Sequence, residues 1–179
     1  LNLVTEPYEK RGWGMIFMPN DELKVKESKL ICDEEAKKLN FKKTFWRNVP
    51  VKNETLGPLA KANAPSISQW IIFLGKNDSQ DIEMRLFQLR KRIEKRIREN
   101  TKNAVGDCEF YFASLSSKTV VYKGMVRSEV LSEFYEDLKK EDFKVSFSVY
   151  HRRFSTNTLP KWPLAQPMRF LGHNGEINT

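Results

Sequence analysis

The feature that most constrains the fold is an amphipathic segment at residues 81–99, which carries the clearest helix pattern of the chain. Its apolar side chains recur at spacings of three and four residues, whereas basic side chains cover the other side. The apolar stripe consists of Ile82, Leu86, Leu89, Ile93 and Ile97. A helix with one apolar stripe is typical of a layered domain, in which the stripe packs against a neighbouring element.

Short apolar runs predict several β-strands. Residues 13–18 and 66–74 each have the pattern of a buried strand that stops at turn-forming residues. Residues 109–114 and 119–124 are joined by a short polar linker and predict an antiparallel hairpin. Residues 144–150 alternate between apolar and polar side chains, so they predict a half-buried strand.

Two weaker helices complete the predicted elements. Residues 27–39 place apolar side chains among charges, and residues 128–140 form a further helix with Ser128 as its N-cap. The buried face of the second helix would consist of Val130, Leu131, Phe134 and Leu138. Residues 41–61 are punctuated by proline and glycine and are expected to be irregular. Strands that alternate with helices favour a layered α+β domain.

The composition is that of a globular domain. Of the 179 residues, 40% are hydrophobic and 12% are aromatic, which is enough for one domain with a hydrophobic core. No stretch approaches the ~20 consecutive apolar residues that cross a bilayer. The chain begins at Leu1 rather than at Met and shows no secretory leader, so we expect it to be a segment of a longer protein.

The net charge of +8 leaves one alternative function open. It arises from 31 Lys and Arg residues against 23 Asp and Glu residues. A basic module of this kind could bind nucleic acid through the basic side of residues 81–99. The carboxylates interspersed in that segment, and the lack of an aromatic stacking platform beside it, favour an ordinary solvated surface helix.

Polar and rigid residues are concentrated in residues 151–179, which include both histidines and three of the eight prolines of the chain. A strand that ends in such a cluster can form a pocket at the edge of a sheet. Arg153 can bind a carboxylate through two parallel N–H bonds. Hydroxyl and amide groups follow it at Ser155, Thr156, Asn157 and Thr158. The prolines stiffen the next loop, and Trp162 can hold that loop in place.

Asn174 and Gly175 offer two hydrogen-bond donors, an amide side chain and an unshielded backbone N–H. Two donors aimed at one point form an oxyanion hole for acyl transfer. Taken alone, Asn–Gly is a common turn, Arg153 is a common surface cation, and His151 and His173 can be structural. The combination within one short stretch favours a binding pocket, and the stretch has neither metal-ligand spacing nor a phosphate-binding glycine loop.

Residues 151–179 resemble the class II glutamine amidotransferases, and within them the amidotransferase domain of glutamate synthases. The matching string is HRRFSTNTLPKWPLAQPMRFLGHNGEINT. It is similar to the family blocks H-x-R-F-S-T-N-T, P-x-W-P-L-A-Q-P and H-N-G-E-I-N-T in the same order. Looser likeness in the segments GMIFMP, WRNVP and TVVYKG extends the resemblance over nearly the whole chain. The segments KGMVR and YHRR are more similar to the ferredoxin-dependent branch than to the pyridine-nucleotide branch.

The resemblance implies that residues 1–179 are part of one type 2 glutamine amidotransferase domain. Its fold would be an N-terminal-nucleophile αββα sandwich, with two antiparallel sheets between helical layers. In that family, a cysteine at the mature N-terminus attacks the side-chain amide of glutamine, and its own α-amino group is the base. A thioester forms, ammonia leaves through an internal tunnel, and water releases glutamate. We expect the nucleophile region and the C-terminal part of the domain to lie outside this chain.

The resemblance also implies roles for four residues. Arg153 would bind the α-carboxylate of glutamine, and Thr156 would line the same pocket. The side chain of Asn174 and the backbone N–H of Gly175 would form the oxyanion hole. These roles require the guanidinium of Arg153 and the Asn174–Gly175 pair to converge on one cleft of amino-acid size.

Neither cysteine of the chain is expected to replace the N-terminal nucleophile. Cys32 and Cys108 are internal, so the nitrogen of each is an amide and the required base is missing. They lie in no metal-like spacing, and a reduced compartment suits them better than a disulfide. We therefore expect the isolated chain to have no glutaminase activity.

For the full-length enzyme, the resemblance implies that glutamate is made from glutamine and 2-oxoglutarate. FMN and a 3Fe–4S cluster would be its cofactors, with FAD as a further candidate. Its partners would be glutamine and ferredoxin, or a pyridine-nucleotide reductase subunit instead, with no nucleic acid and no membrane. The compartment would be a bacterial cytoplasm or a plastid stroma. An amidotransferase with a different ammonia acceptor is the neighbouring alternative, against which the WPLAQP block argues.

Overall fold

The computed structural model describes residues 10–74, 81–101, 110–152 and 159–168. Within these ranges the strands are β1 (Arg11–Met18), β2 (Lys43–Asn48), β3 (Ser66–Phe73) and β4 (Tyr111–Ser116). The α-helices are α1 (Glu22–Lys38), α2 (Pro58–Ala62), α3 (Ile82–Thr101) and α4 (Leu131–Phe134). The strands form one antiparallel sheet in the order β2-β3-β1-β4. None of the helices in these ranges has the length and apolar character that crossing a bilayer requires.

The central strands β1 and β3 confirm the strands predicted at 13–18 and 66–74. β1 pairs with β3 along one edge and with β4 along the other, where the register shifts between Met15 and Ile16. Side chains of β1 are buried on both faces of the sheet, because Ile16 joins a core on one face and Phe17 joins a second core on the other. A strand buried on both faces has a nearly continuous apolar sequence, and such a run is easy to recognise.

α3 confirms the amphipathic helix predicted at residues 81–99. Leu86, Leu89 and Ile93 are fully buried, and Ile97 is 8% exposed. The helix lies close to β1, since a Cβ placed on Gly12 would lie 2.6 Å from Cδ2 of Leu86. With α1, it covers one face of the sheet and forms what we call the helix-side core. The predicted α+β organisation is thus present.

α1 is longer than the helix predicted at residues 27–39. It begins after Asp21, whose side chain accepts a hydrogen bond from the backbone N–H of Lys24 (2.9 Å) and so caps the first turn. Its buried apolar side chains are Ile31, Cys32 and Ala36. Leu30 is 59% exposed and does not contribute to the core.

A shared carboxylate links α1 to both β2 and β3. The indoles of Trp46 and Trp70 stack across the two strands, with centroids 5.2 Å apart and planes inclined by 15°. The Nε1–H groups of Trp46 and Trp70 both donate to Asp33, at 3.0 Å to Oδ2 and 3.1 Å to Oδ1. Trp70 is fully buried, so Asp33 satisfies a donor that would be costly to bury alone.

The expectation that residues 41–61 are irregular is wrong in two places, where β2 and α2 form. β2 pairs with β3 over its whole length, but its side chains are exposed or only partly buried because it lies at the edge of the sheet. An edge strand needs few apolar side chains, so it leaves little periodicity in the sequence. α2 is short, and Pro58 occupies its first position, as proline often does.

The hairpin predicted from residues 109–114 and 119–124 is wrong. β4 pairs with β1 instead, and the second segment is not a strand. The backbone N–H of Val121 donates to the side-chain hydroxyl of Ser114 (3.1 Å), where a hairpin would have a backbone acceptor. Val120 and Tyr122 pack against the second face of the sheet, so burial of these side chains draws the segment across the face.

The helix predicted at residues 128–140 is broken into short pieces. A 3-10 turn at Ser128–Val130 precedes α4, and another at Glu136–Lys139 follows it. The break is at Tyr135, which is extended (φ −93°, ψ 100°) and forms an isolated bridge with Val51. Ser128 does not cap the first piece, which begins after Arg127 without a side-chain cap. The predicted apolar face is correct for Phe134, which is buried, and for Leu131 and Leu138, which pack beside it, but Val130 does not join this core.

The strand predicted at residues 144–150 is not formed. Val145, Phe147 and Val149 are 59%, 76% and 75% exposed, and no pairing of this segment occurs among the described residues. Alternation shows that a segment can be half-buried, but a strand also needs a neighbouring edge to pair with. Among the described residues, neither outer strand of the sheet, β2 or β4, pairs with this segment.

The second face of the sheet is covered by irregular segments and short helical pieces rather than by long helices. Its core, which we call the loop-side core, contains aromatic side chains from β1, α4 and the segment at 159–168. The buried members are Met15, Phe17, Val49, Ala64, Ile67, Ala113, Phe134, Tyr135 and Trp162. β1 and residues 159–168, which lie near the two ends of the described part of the chain, therefore pack together on this face.

Candidate functional site

The four residues predicted to bind glutamine lie outside the described residues. These are Arg153, Thr156, Asn174 and Gly175. Cys108, Ser155, Asn157, Thr158 and His173 lie outside them as well. The convergence of Arg153 with the Asn174–Gly175 pair therefore stays a prediction. The structure describes the first two residues of the first block, His151 and Arg152, and the segment 159–168, which contains the second block and lies between the first and the third.

The first two residues of the first block are exposed. His151 and Arg152 are both exposed, and the guanidinium of Arg152 lies near two side chains of a 3-10 turn. Its Nε donates to Oγ of Ser128 (3.3 Å), and its Nη2 lies 3.4 Å from Oε1 of Glu129. These contacts place the start of the block beside the turn at Ser128–Val130.

The segment 159–168 is fixed to the loop-side core by Trp162, as its sequence predicts. The Trp162 side chain is 2% exposed and packs edge-on against Phe17, with centroids 5.7 Å apart. Its Nε1–H donates to the carbonyl oxygen of Ala60 in α2 (3.1 Å). A tryptophan that is packed on a central strand and bonded through its N–H is a strong anchor. The middle of the segment is thus held in one place on the sheet.

Lys123 is a second contact of this segment, and sequence reasoning does not single out its side chain. The residue is 2% exposed, and its Nζ donates to the carbonyl oxygen of Pro163 (2.8 Å) and to the hydroxyl of Tyr111 (3.2 Å). Lysine is rarely buried, so neither composition nor periodicity indicates this position. The one available signal is that Lys123 lies in an otherwise apolar run, TVVYKG.

An ion pair between Arg47 and Asp137 joins β2 to the 3-10 turn at Glu136–Lys139. Arg47 donates to both carboxylate oxygens of Asp137, from Nη1 to Oδ1 at 3.0 Å and from Nη2 to Oδ2, and Tyr122 donates its hydroxyl to Oδ2 at 3.2 Å. Burial by itself would raise the pKa of Asp137, but hydrogen bonding and charge from Arg47 and Lys140 lower it below the ordinary value. Burial and the charge of Asp137 raise the pKa of Tyr122, so its hydroxyl stays protonated and can donate. This cluster fixes the 3-10 turn and the segment that contains Tyr122 to the edge strand β2.

Cys32 lacks the properties of a nucleophile. It is fully buried in the helix-side core, and its thiol is free. Burial, together with the adjacent charge of Asp33, raises the pKa of the thiol well above its ordinary value. A protonated, buried thiol is unreactive, which agrees with the incidental role expected for this residue.

The basic helix that supports the nucleic-acid alternative has several of its arginines already paired. Arg92 and Arg96 both bind the buried carboxylate of Glu35, at 2.9 and 3.1 Å, and Arg90 binds Glu94 at 2.8 Å. Arg92 and Arg96 thus link α3 to α1, and Arg90 links two successive turns of α3. The pairing reduces the positive charge that α3 could offer to phosphate groups, which weakens the alternative.

The described residues contain an apolar groove but no cluster of metal-ligating side chains. No group of three or more His, Cys, Asp or Glu side chains in these ranges is arranged to hold a metal ion. An apolar groove of about 270 Å³ lies between α2 and the turn before α4, lined among others by Leu56, Pro58, Met125 and Val126. The groove involves none of the residues predicted to bind glutamine.

Comparison with known proteins assigns the chain to a family. The family model described as glutamine amidotransferases class-II matches residues 2–179. The ferredoxin-dependent glutamate synthase of Pyropia yezoensis is 50% identical over 99% of this chain. Ferredoxin-dependent glutamate synthase 1 of Arabidopsis thaliana, named as chloroplastic/mitochondrial, is 47% identical over 97% of the chain. The large chain of the NADPH glutamate synthase of Azospirillum brasilense is 41% identical over 97% of it. The chain spans 11% of the length of each of these relatives.

Proposed function

Because the chain belongs to the class-II glutamine amidotransferases, we propose that residues 1–179 are part of the glutaminase domain of a glutamate synthase. The observation that carries the proposal is that relatives named glutamate synthase are 41–50% identical over nearly the whole chain. The domain would release ammonia from glutamine, and the full-length protein would combine that ammonia with 2-oxoglutarate and reducing equivalents to form glutamate.

The glutamine would be held by residues of the first block (151–158) and the third block (173–179). The guanidinium of Arg153 would bind the α-carboxylate through two parallel hydrogen bonds, and Thr156 would line the pocket beside it. The side-chain amide of Asn174 and the backbone N–H of Gly175 would donate to the oxygen of the substrate amide as it becomes negatively charged. Such donors stabilise the tetrahedral intermediate more than they stabilise the substrate, and so they accelerate the reaction.

The nucleophile would be a cysteine at the mature N-terminus of the domain, supplied from outside these residues. Its thiolate would attack the amide carbon of glutamine, and its α-amino group would accept the thiol proton and transfer it to the leaving ammonia. Water would then hydrolyse the thioester and release glutamate. The high pKa and full burial of Cys32 support the assignment of this role to a residue elsewhere.

We propose that the complete domain is an αββα sandwich, of which the described sheet is one of the two. One face of this sheet carries α1 and α3, as a helical outer layer would. Residues 144–150 follow Phe143, whose ring contacts Tyr122 beside the loop-side core, and they alternate in sequence and expose Val145, Phe147 and Val149. An alternating segment with an exposed apolar side is suited to a strand of a second sheet.

Ferredoxin is the electron donor that the relatives favour. The two ferredoxin-dependent enzymes are 50% and 47% identical to this chain, and the NADPH enzyme is 41% identical. We place FMN and a 3Fe–4S cluster, with FAD as a further candidate, in parts of the full-length protein beyond this chain. There they would supply electrons to the imine formed from ammonia and 2-oxoglutarate. A plastid stroma or a bacterial cytoplasm would be the compartment.

The test uses the full-length protein that contains this chain. We expect it to form glutamate from glutamine and 2-oxoglutarate when reduced ferredoxin is supplied. Asn174→Ala should lower kcat by about 10²–10³-fold, because one oxyanion donor is lost. Arg153→Ala should act chiefly by raising KM for glutamine, because the carboxylate contact is made in the ground state as well as the transition state.

Asn53→Ala, at an exposed position of a 3-10 turn, is the matched control and should leave both constants unchanged. The isolated 179-residue chain should release no ammonia from glutamine, because the nucleophile and its base are missing. A full-length protein that does not consume glutamine would contradict the proposal, and so would full activity of Asn174→Ala.

A further inference from the structure

The segment 159–168 contains the second block and connects the two blocks that would form the glutamine pocket, the first with Thr156 and the third with Asn174. Its central part is buried: Trp162 is 2% and Ala165 is 4% exposed. A connection that is fixed at its middle limits the positions its two ends can reach. The contacts that fix it therefore bear on whether both blocks can reach one ligand.

Lys123 contributes a charged contact to this fixed point. Its Nζ donates to the carbonyl oxygen of Pro163 (2.8 Å), and the ammonium lies 4.8 Å from the ring centroid of Tyr111. The backbone of the same residue is held too, because the hydroxyl of the buried Tyr135 donates to the carbonyl oxygen of Lys123 (2.7 Å). Lys123 thus connects the start of β4, the segment 159–168 and the turn after α4.

Burial of an ammonium group is costly unless the group is well bonded. An apolar side chain at this position would fill the loop-side core without that cost, as the surrounding Phe17, Phe134 and Trp162 do. Unlike an apolar side chain, the ammonium group can donate a hydrogen bond to the backbone of Pro163. This bond fixes the direction of the chain beside Trp162. Packing against Trp162 alone would leave that direction less restricted.

We infer that Lys123 is a positioning residue for the glutamine pocket. By bonding the carbonyl oxygen of Pro163, it sets how the chain leaves the anchored segment toward both blocks. A pocket whose two halves are already in position before the ligand arrives loses less conformational entropy on binding. This inference rests on the proposed function and concerns the same site.

The test is Lys123→Met in the full-length protein, because methionine has similar length without the charge. We expect kcat/KM for glutamine to fall about tenfold or more, chiefly through a higher KM, because the two halves of the pocket are no longer held together. Tyr111→Phe removes the hydroxyl bonded to Nζ but keeps the ring, and it should raise KM for glutamine in the same direction by a smaller factor. Lys118→Met removes an exposed lysine nearby and should change neither constant.

The outcomes separate the inference from the proposed function. Wild-type protein that consumes glutamine, together with an unchanged KM in Lys123→Met, would overturn the inference and leave the proposed function intact. A lower kcat with unchanged KM would also overturn it, since that result indicates a smaller fraction of folded enzyme. Wild-type protein that does not consume glutamine would overturn the proposed function itself. If Lys123→Met does not fold, the KM of Tyr111→Phe decides.

Discussion

At Gly124 the backbone lies directly against the six-membered ring of Trp162. A Cβ placed on Gly124 would lie 2.8 Å from Cε3 of that ring, closer than real Cβ contacts. The φ of Gly124 is not positive, so a side chain is excluded by the indole and not by backbone strain. The absence of a side chain at one residue therefore determines how closely the anchor can pack.

Gly124→Ala is expected to lower the free energy of unfolding by about 1–3 kcal/mol, because the added methyl must displace a buried indole. The urea midpoint, followed by tryptophan fluorescence, measures the change. Gly57→Ala is the matched control, since a Cβ placed on Gly57 meets nothing within 4 Å, and its effect should stay within about 0.5 kcal/mol. Equal midpoints for the two variants would show that Trp162 does not pack on Gly124.

Lys123 shows the limit of sequence reasoning at single residues. The roles proposed for Arg153 and Asn174 follow from their motif, because the chemistry of each side chain suits its role, and the role proposed for Gly175 needs only its backbone N–H. A buried lysine cannot be assigned in that way, since its role comes from a carbonyl oxygen of Pro163, forty positions further along the chain. Such a partner has no local signature.

Among the elements, α1 and α3 are joined by a cluster of charges around Glu35. The Glu35 side chain is buried, yet it binds Lys38 at 2.6 Å, Arg92 at 2.9 Å and Arg96 at 3.1 Å. Burial by itself would raise the pKa of Glu35, but hydrogen bonds from Lys38 and Arg92, with their charges, lower it below the ordinary value. The ionised form is therefore the one that stabilises the contact between the two helices.

A carboxyl group with a lowered pKa stabilises the fold above its unfolded pKa, and this contribution is lost as the pH falls through its folded pKa. We therefore expect the free energy of unfolding to decline between about pH 5 and pH 3. Glu35→Gln should cost about 1.5–3 kcal/mol near pH 7, because charged hydrogen bonds are weakened, and much less near pH 3. Urea titrations across this range measure both values. Glu27→Gln, at an exposed position on the same helix, is the control and should follow the wild type. An equal loss for Glu35→Gln at both pH values would show that the ionised form of Glu35 is not the stabilising one.

The elements that the sequence predicts correctly are those whose own residues determine their burial. β1, β3 and α3 have long apolar runs or a full stripe, so the hydrophobic effect alone indicates where they lie. The segments that were predicted wrongly depend on distant partners. β2 is an edge strand that forms because β3 offers an edge, and residues 119–124 leave the expected hairpin because the opposite face of the sheet buries their side chains.

The break at Tyr135 has the same origin. Residues 128–140 have the apolar spacing of a helix, and Phe134 is buried as that spacing predicts. The bridge from Tyr135 to Val51 and the hydrogen bond from its hydroxyl to Lys123 hold this residue in an extended conformation. Two tertiary contacts therefore override a local helix preference that is modest to begin with.

At the scale of the whole molecule, the proposed second sheet leads to a prediction about residues 145–149. In the full-length protein, the backbone amides of this segment should exchange slowly with deuterium, because a paired strand protects them. Hydrogen exchange followed by mass spectrometry measures this. In the isolated chain the same amides should exchange quickly, since the described residues do not pair with the segment. Rapid exchange in both proteins would contradict the sandwich, and β1 amides provide the slow reference.

The stacked indoles of Trp46 and Trp70 give the molecule a built-in optical reporter. The transition dipoles of two indoles 5.2 Å apart couple, and a skew between the dipoles within the stacked planes gives an exciton couplet in circular dichroism, whereas Trp162 is on the other face of the sheet and does not take part. Because the pair needs β2, β3 and the carboxylate of α1 in register, the couplet disappears as soon as any one of them detaches. The chromophores thus distinguish fraying of one sheet edge from collapse of the entire domain without any added label.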